Sequence, residues 1–192
     1  DNMCTFCVVP YTRGRERSRD PKSIIKECEE LINLGYKEVT LLGQNVDSYL
    51  WYGGGAKKNY KNITVDESKV WDFAKLLDEV AKINPILRIR FSTSNPQDMT
   101  DQVINVISKH KNICNYIHLP VQSGSSKILK LMNRGYTRQE YLILIDKIKN
   151  KIPDCAISMD MISGFCNETE DDHLKTLSLM DIVKYDYGYM FK

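Results

Sequence analysis

No apolar run in these 192 residues approaches the roughly 20 that a helical membrane span needs, so no membrane partner is expected. The opening Asp1-Asn2-Met3-Cys4 lacks the basic flank and apolar stretch of a secretory signal. Histidine is scarce: His110, His118 and His173 are the three, and none stands at ligand spacing from another. The six cysteines are too few and too scattered for a disulfide-stapled secreted scaffold, and only Cys4 and Cys7 are closely paired. A reducing, cytoplasmic setting is the expectation. There is no internal repeat, and the one low-complexity stretch is Gly53-Gly54-Gly55. An excess of either sign of charge is also nearly missing, with 27 basic residues against 25 acidic.

The apolar share of 42% and charged share of 27% are those of an ordinary globular chain, and the length suits one domain over 1–192 with a real core. The net charge of +2 has an address. Residues 1–19 hold Arg13, Arg15, Arg17 and Arg19 against Asp1 and Glu16, while the remainder balances.

Apolar spacing alternates between two periods. Ile24, Ile25, Cys28, Leu31 and Ile32 mark a helix that Asp20-Pro21 opens and Gly35 ends. Val39–Leu42 reads as a buried strand, Val70–Ala81 as a helix and Ile86–Phe91 as a strand. A helix near 97–109, a strand near 115–119, a helix near 137–150, a strand near 155–162, a helix near 169–181 and a strand near 187–191 complete the series. Such alternation, with continuous apolar strands, predicts an α/β fold whose parallel sheet is covered by helices. It fits either an open doubly wound sheet or a partial (β/α) barrel. Polar residues cluster just after the strands, at Gly43-Gln44-Asn45, Ser92–Asn95, Pro120–Gly124 and Ser163-Gly164. Parallel βα units gather those loops on one face, so four in a row indicate a site.

Cys4-Thr5-Phe6-Cys7 is a C-x-x-C, which serves redox dithiols, zinc sites and iron–sulfur sites alike. Pro10 and Gly14 argue against the helix a thioredoxin-like motif would open, and no second C-x-x-C or H-x-x-x-H supplies a zinc partner. A C-x-x-x-C-x-x-C would place its first thiolate just upstream of Asp1. Three thiolates leave one iron of a [4Fe–4S] cube open, with Phe6 packed beside the cofactor.

Asp1–Arg19 resembles the signature of the radical-SAM methylthiotransferase family. So do Leu42-Gly43-Gln44-Asn45-Val46, Arg90–Pro96, His118–Ser125, Met132–Thr137 and Asp160–Phe165, so the resemblance spans the chain. It implies a partial (β/α)6 TIM-like barrel, its first strand upstream of residue 1, with Cys4 and Cys7 binding the radical-generating [4Fe-4S] cluster beside S-adenosylmethionine. It also implies further domains outside this chain: one N-terminal, holding a second, auxiliary [4Fe-4S] cluster, and one small, C-terminal and RNA-binding, without which the fragment is inactive. Gly43, Gln44 and Asn45 would receive the methionyl amino group. Ser92 and Ser94 would hold the carboxylate or ribose, with Gln122 and Ser123 at the same rim. Ile162, Gly164 and Phe165 would read the adenine, and Arg134 would pair with the methionyl carboxylate. Cys166-Asn167 replaces the family's usual proline-glycine.

The implied activity is methylthiolation of C2 of an N6-isopentenyl-adenosine in tRNA. Its partners would be the anticodon stem-loop and an electron donor such as flavodoxin or ferredoxin, acting on a monomer. Arg13, Arg15, Arg17 and Arg19 offer forked donors suited to RNA phosphates. The rivals are methylthiolation of a threonylcarbamoyl-adenosine tRNA or a ribosomal protein, and a non-catalytic RNA-binding module with a decayed cluster site.

Overall fold

Five of the seven helices begin where a side chain takes over an unbonded backbone amide. In the computed structural model, which describes residues 2–192, Asp20 accepts from the Ser23 amide at 2.8 Å, and Thr137 and Thr169 close capping boxes with Glu140 and Asp172. The helices are α1 (Val9–Arg13), α2 (Pro21–Asn33), α3 (Phe73–Ile83), α4 (Asp101–Lys109), α5 (Ser126–Leu131), α6 (Arg138–Lys151) and α7 (Glu170–Val183). The strands are β1 (Glu38–Leu42), β2 (Leu50–Trp51), β3 (Trp71–Asp72), β4 (Arg88–Ser92), β5 (Tyr116–His118), β6 (Ala156–Ile162) and β7 (Tyr187–Phe191).

β1 pairs with β4 in parallel, from Glu38–Arg88 to Leu42–Ser92. β5 pairs with β6, and β6 with β7, also in parallel. One parallel bridge, Ile89–Ile113, joins β4 to the segment entering β5, flanked by a 2.9 Å bond from the Cys114 amide to the Ile89 carbonyl. The parallel strands therefore follow one another in chain order. Between β1 and α3, β2 and β3 form a short antiparallel ribbon.

The strands are not apolar throughout, as their sequence suggested. Val39, Leu41, Ile89, Phe91, Ile117, Ile157, Met159 and Met161 are buried in the core. The opposite face is polar: Glu38 lies 3.3 Å from Arg88 and 3.2 Å from Arg90. Tyr116 and His118 both bond the Ser158 hydroxyl, at 2.7 and 2.8 Å, and His118 lies 3.5 Å from Asp160. Apolar residues of α2, α3, α4, α6 and α7 join the buried strand positions in the core, and the alternate strand positions face away from it.

Three expectations need correction. The segment after Cys7 is helical, because Pro10 falls in the first turn of α1, where its missing amide costs nothing. The second helix starts at Phe73, not Val70, since the Asp72 carboxylate caps the Lys75 amide at 2.8 Å. α5 is too short to show a periodic pattern.

α7 braces the loop after β5. Thr176 accepts from the Gly124 amide at 2.9 Å, and Asp172 accepts from the Ser125 hydroxyl at 2.7 Å. A Cβ on Gly124 would lie 2.5 Å from both the Lys175 carbonyl oxygen and the Thr176 Cα, backbone atoms that cannot yield. Gly124→Ala is therefore expected to cost about 3 kcal/mol in urea unfolding, a loss that an equally stable variant would contradict.

Candidate functional site

Cys4 and Cys7 sit on a tight turn closed by a 3.0 Å bond from the Cys7 amide to the Cys4 carbonyl. The turn is tied to the end of α5: the Thr5 amide and hydroxyl donate to the Met132 and Leu131 carbonyls, each at 3.1 Å, and the Asn133 amide group donates to the Met3 carbonyl at 2.7 Å. Asn133 holds a left-handed φ of 57° there. Asp1, the first residue of the motif, lies outside the described residues.

Arg134 is the joint between this turn and the strand ends. Its guanidinium donates to the Cys4 sulfur at 3.4 Å, the Pro120 carbonyl at 2.8 Å and the Tyr136 hydroxyl at 2.9 Å. Burial works against its charge, yet Tyr136 and the Cys4 sulfur beside it raise its pKa. Burial pushes the Tyr136 hydroxyl up to about 12, so Tyr136 stays a neutral hydrogen-bonding group.

A cavity of about 1270 Å³ opens beside the turn. Of the residues singled out from sequence, Cys4, Phe6, Cys7, Gly43, Gln44, Asn45, Ser94, Gln122 and Arg134 line it, as do Arg13, Arg15, Arg17 and Arg19. Arg19 is already paired with Glu27 and donates to Ser23 at 3.0 Å, so it braces α2.

Ser92, Ser123, Ile162, Gly164 and Phe165 are not among the lining residues. Ser123 is fully buried, with its hydroxyl 3.4 Å from Thr176 and 3.2 Å from the Ser125 amide. The Gly164 and Phe165 amides both donate to the Glu168 carboxylate.

Thr93, Asn95 and Pro120, from the same strand-end loops, also line the cavity, and the structure adds Asp160. Thr93 and Gln122 hold left-handed φ values of 71° and 76°. Such strain in non-glycine residues at strand ends is typical of functional loops. Asp160 carried a legible signal, an acid within a strand whose only other polar residue is Ser158.

Beneath the loops, Asp47 accepts from the Asn95 amide at 3.1 Å, and the Asn45 side chain donates to Asp98 at 2.6 Å. Burial pushes the Asp47 carboxyl up to about 7, against the bond from Asn95 and with the help of Asp98. Three buried polar atoms on cavity-lining residues, Asn45 Oδ1, Ser94 Oγ and Asp160 Oδ1, have no hydrogen-bond partner. Buried polar atoms are rarely left so, and these suit a ligand's donors.

Parallel α/β strands, with paired cysteines and strand-end loops gathered on one cavity, define an α/β domain of the kind that binds a cofactor at its strand ends. The chain belongs to the radical SAM superfamily, whose model matches residues 1–180. It is 66% identical over 192 residues to the tRNA-2-methylthio-N(6)-dimethylallyladenosine synthase of Christiangramia forsetii. To the enzyme of the same name from Karelsulcia muelleri it is 63% identical over 191 residues. All of this chain aligns in both cases, but it spans only 40% and 42% of those relatives. Among solved structures it resembles the radical S-adenosylmethionine methyltransferase TsrM from Kitasatospora setae, with a TM-score of 0.69 at 13% identity over 98% of this chain and 34% of that one. Methylornithine synthase (PylB) gives a TM-score of 0.61 at 16% identity over 100% and 50%. At these identities the likeness shows the fold alone.

Proposed function

We propose that this chain is the radical-SAM core of a tRNA methylthiotransferase, acting on C2 of an N6-isopentenyl-adenosine in the anticodon stem-loop. The observation that carries the reading is the meeting of the Cys4–Cys7 turn with the loops after β1, β4 and β5 on one cavity. The relatives at 66% and 63% identity bear the name of this activity. Parallel strands in chain order support a partial (β/α)6 barrel over a doubly wound sheet, whose strand order would reverse at a switch point.

The donor chemistry fits a [4Fe-4S] cluster. Cys4 and Cys7 are free thiols, and among the described residues no group of three or more His, Cys, Asp or Glu offers an alternative metal site. Cys4 and Cys7 would hold two irons, with a third thiolate from the position before Asp1. S-adenosylmethionine would lie against Gly43, Gln44, Asn45, Ser94 and Gln122. When bound, this pair supplies the one-electron chemistry; the chain supplies orientation and the exclusion of water.

Arg134 holds the Cys4 sulfur and fixes the turn against Pro120, a positioning role that leaves few donors for a carboxylate. Asn45 Oδ1, buried and unpartnered, would accept from an ammonium. Arg13 and Arg17, which line the cavity, would contact RNA phosphate. An auxiliary cluster, a flavodoxin or ferredoxin donor, a monomeric state and a cytoplasmic setting complete the proposal.

The test is mass spectrometry of tRNA nucleosides from a strain lacking the gene. Loss of the 2-methylthio-isopentenyl nucleoside alone is expected. Its persistence, or loss of a threonylcarbamoyl species or a ribosomal-protein mark instead, would contradict the reading.

A further inference from the structure

β7 carries three aromatic residues at alternate positions, Tyr187, Tyr189 and Phe191, each about half exposed. Three such rings in a row on one strand form a contiguous face. The rings contact one another: Tyr187 and Tyr189 meet edge-on with centroids 5.0 Å apart, while Tyr189 and Phe191 lie near parallel at 6.5 Å.

Their placement ties them to the cavity. In parallel pairing, residues in register project to the same side of the sheet, and neighbouring strands are only about 4.8 Å apart. Tyr187 stands beside Ser158, Tyr189 beside Asp160 and Phe191 beside Ile162. Asp160 lines the cavity that Cys4 and Arg134 also line, so the aromatic face of β7 stands one strand away from that wall. Phe191 is at the strand-end rim, its carbonyl accepting from the Ser163 amide at 2.8 Å.

The chemistry of this face differs from that around Arg13 and Arg17. It carries no basic side chain between Tyr187 and Phe191, and Asp160 repels a phosphate. One Asp160 oxygen faces His118 at 3.5 Å, and the other, Oδ1, is buried and takes no hydrogen bond. An open aromatic face beside an unsatisfied acceptor suits a flat heterocycle carrying an N–H, not a sugar–phosphate backbone.

We propose that Tyr189 and Phe191 form the platform on which the target purine, unstacked from the RNA, is held, with Asp160 Oδ1 accepting its exocyclic N–H. This rests on the tRNA reading and adds the base subsite to it. An N6-monosubstituted adenine keeps one such N–H, and its apolar substituent lies along the aromatic face. A base that must expose one ring atom has to leave its stack, and aromatic side chains replace the stacking it loses. Arg13 and Arg17 would take the phosphates while β7 takes the base, so affinity and base choice have separate residues.

The test uses the complete protein and needs no turnover. Binding of an RNA stem-loop carrying N6-isopentenyladenosine is measured by fluorescence anisotropy for the wild type, Tyr189→Leu, Tyr189→Phe and Phe191→Leu, alongside titration with S-adenosylmethionine alone. Tyr189→Leu and Phe191→Leu are expected to bind the stem-loop about tenfold or more weakly, while Tyr189→Phe, which keeps the ring, stays near wild type. S-adenosylmethionine binding stays unchanged in all four. The wild type should also prefer a stem-loop with N6-methyladenosine over one with N6,N6-dimethyladenosine, which has no N–H. Unchanged stem-loop affinity in both leucine variants overturns the platform and leaves the tRNA reading standing, as does a loss confined to S-adenosylmethionine. A wild type that binds no stem-loop overturns both.

Discussion

Cys4→Ala or Cys7→Ala in the full-length protein is expected to strip iron from the cavity and cut formation of the methylthiolated nucleoside by about 10³-fold or more, as when one member of a catalytic unit is deleted. The physical reason lies in how the turn is held. Its attachments to the body run mainly through Thr5, Asn133 and the backbone, so removing a sulfur, at Cys4 with the loss of its 3.4 Å bond from Arg134, leaves the loop in place and deletes a ligand. Neither cysteine is fully buried, and unfolding midpoints should shift little. Iron analysis, nucleoside mass spectrometry and urea unfolding on the same samples separate the cases. Retained iron and activity would show that the thiols are bystanders. A collapse in stability would show a structural role.

The second large effect concerns Asp47. Its carboxyl is pushed up to about 7 in the folded chain by burial, whereas an unfolded chain ionises it near the ordinary aspartate value, about 3.9. A group whose pKa rises on folding contributes fully below the unfolded value, and the contribution is lost as pH climbs through the folded one. Stability should therefore decline between about pH 4 and pH 7 on this account, by up to about 4 kcal/mol. Asp47→Asn keeps an acceptor for the Asn95 amide and cannot ionise. The variant should match or exceed wild type at pH 8 and show a flatter profile across that window. Urea unfolding at pH 5 and pH 8 decides it. A variant that loses stability equally at both would mean the carboxylate is needed for its bonds, not tolerated despite its charge.

The order of elements was legible in the sequence because helical and strand periods alternate cleanly, and the strong caps at Asp20, Thr137 and Thr169 fix where three helices start. The polar inner face was not. Glu38, Arg90, His118 and Asp160 alternate with Val39, Ile89, Ile117 and Met161, yet short strands rich in valine, isoleucine and methionine read as buried on both sides until their pairing is known. Cys4, Cys7 and the loop at 43–45 stand out from spacing and position, and all of them line the cavity. Ser123 shows the opposite case. A serine after a strand invites a ligand role, but the left-handed turn at Gln122 sends the following hydroxyl toward α7. Gly164 and Phe165 likewise sit at a strand end, while the Glu168 carboxylate takes up their amides. Asp47 could not be foreseen, because its unusual acidity depends on burial by loops distant in sequence.

The central claim is that Cys4 and Cys7 grip a cluster which S-adenosylmethionine touches directly. Electron paramagnetic resonance of the full-length protein, rebuilt with iron and sulfide under anaerobic conditions and then reduced, tests it most directly. A four-iron signal whose g-values move when S-adenosylmethionine is added, and which is absent from Cys4→Ala, is the predicted result. A spectrum indifferent to both the added ligand and the substitution would contradict it.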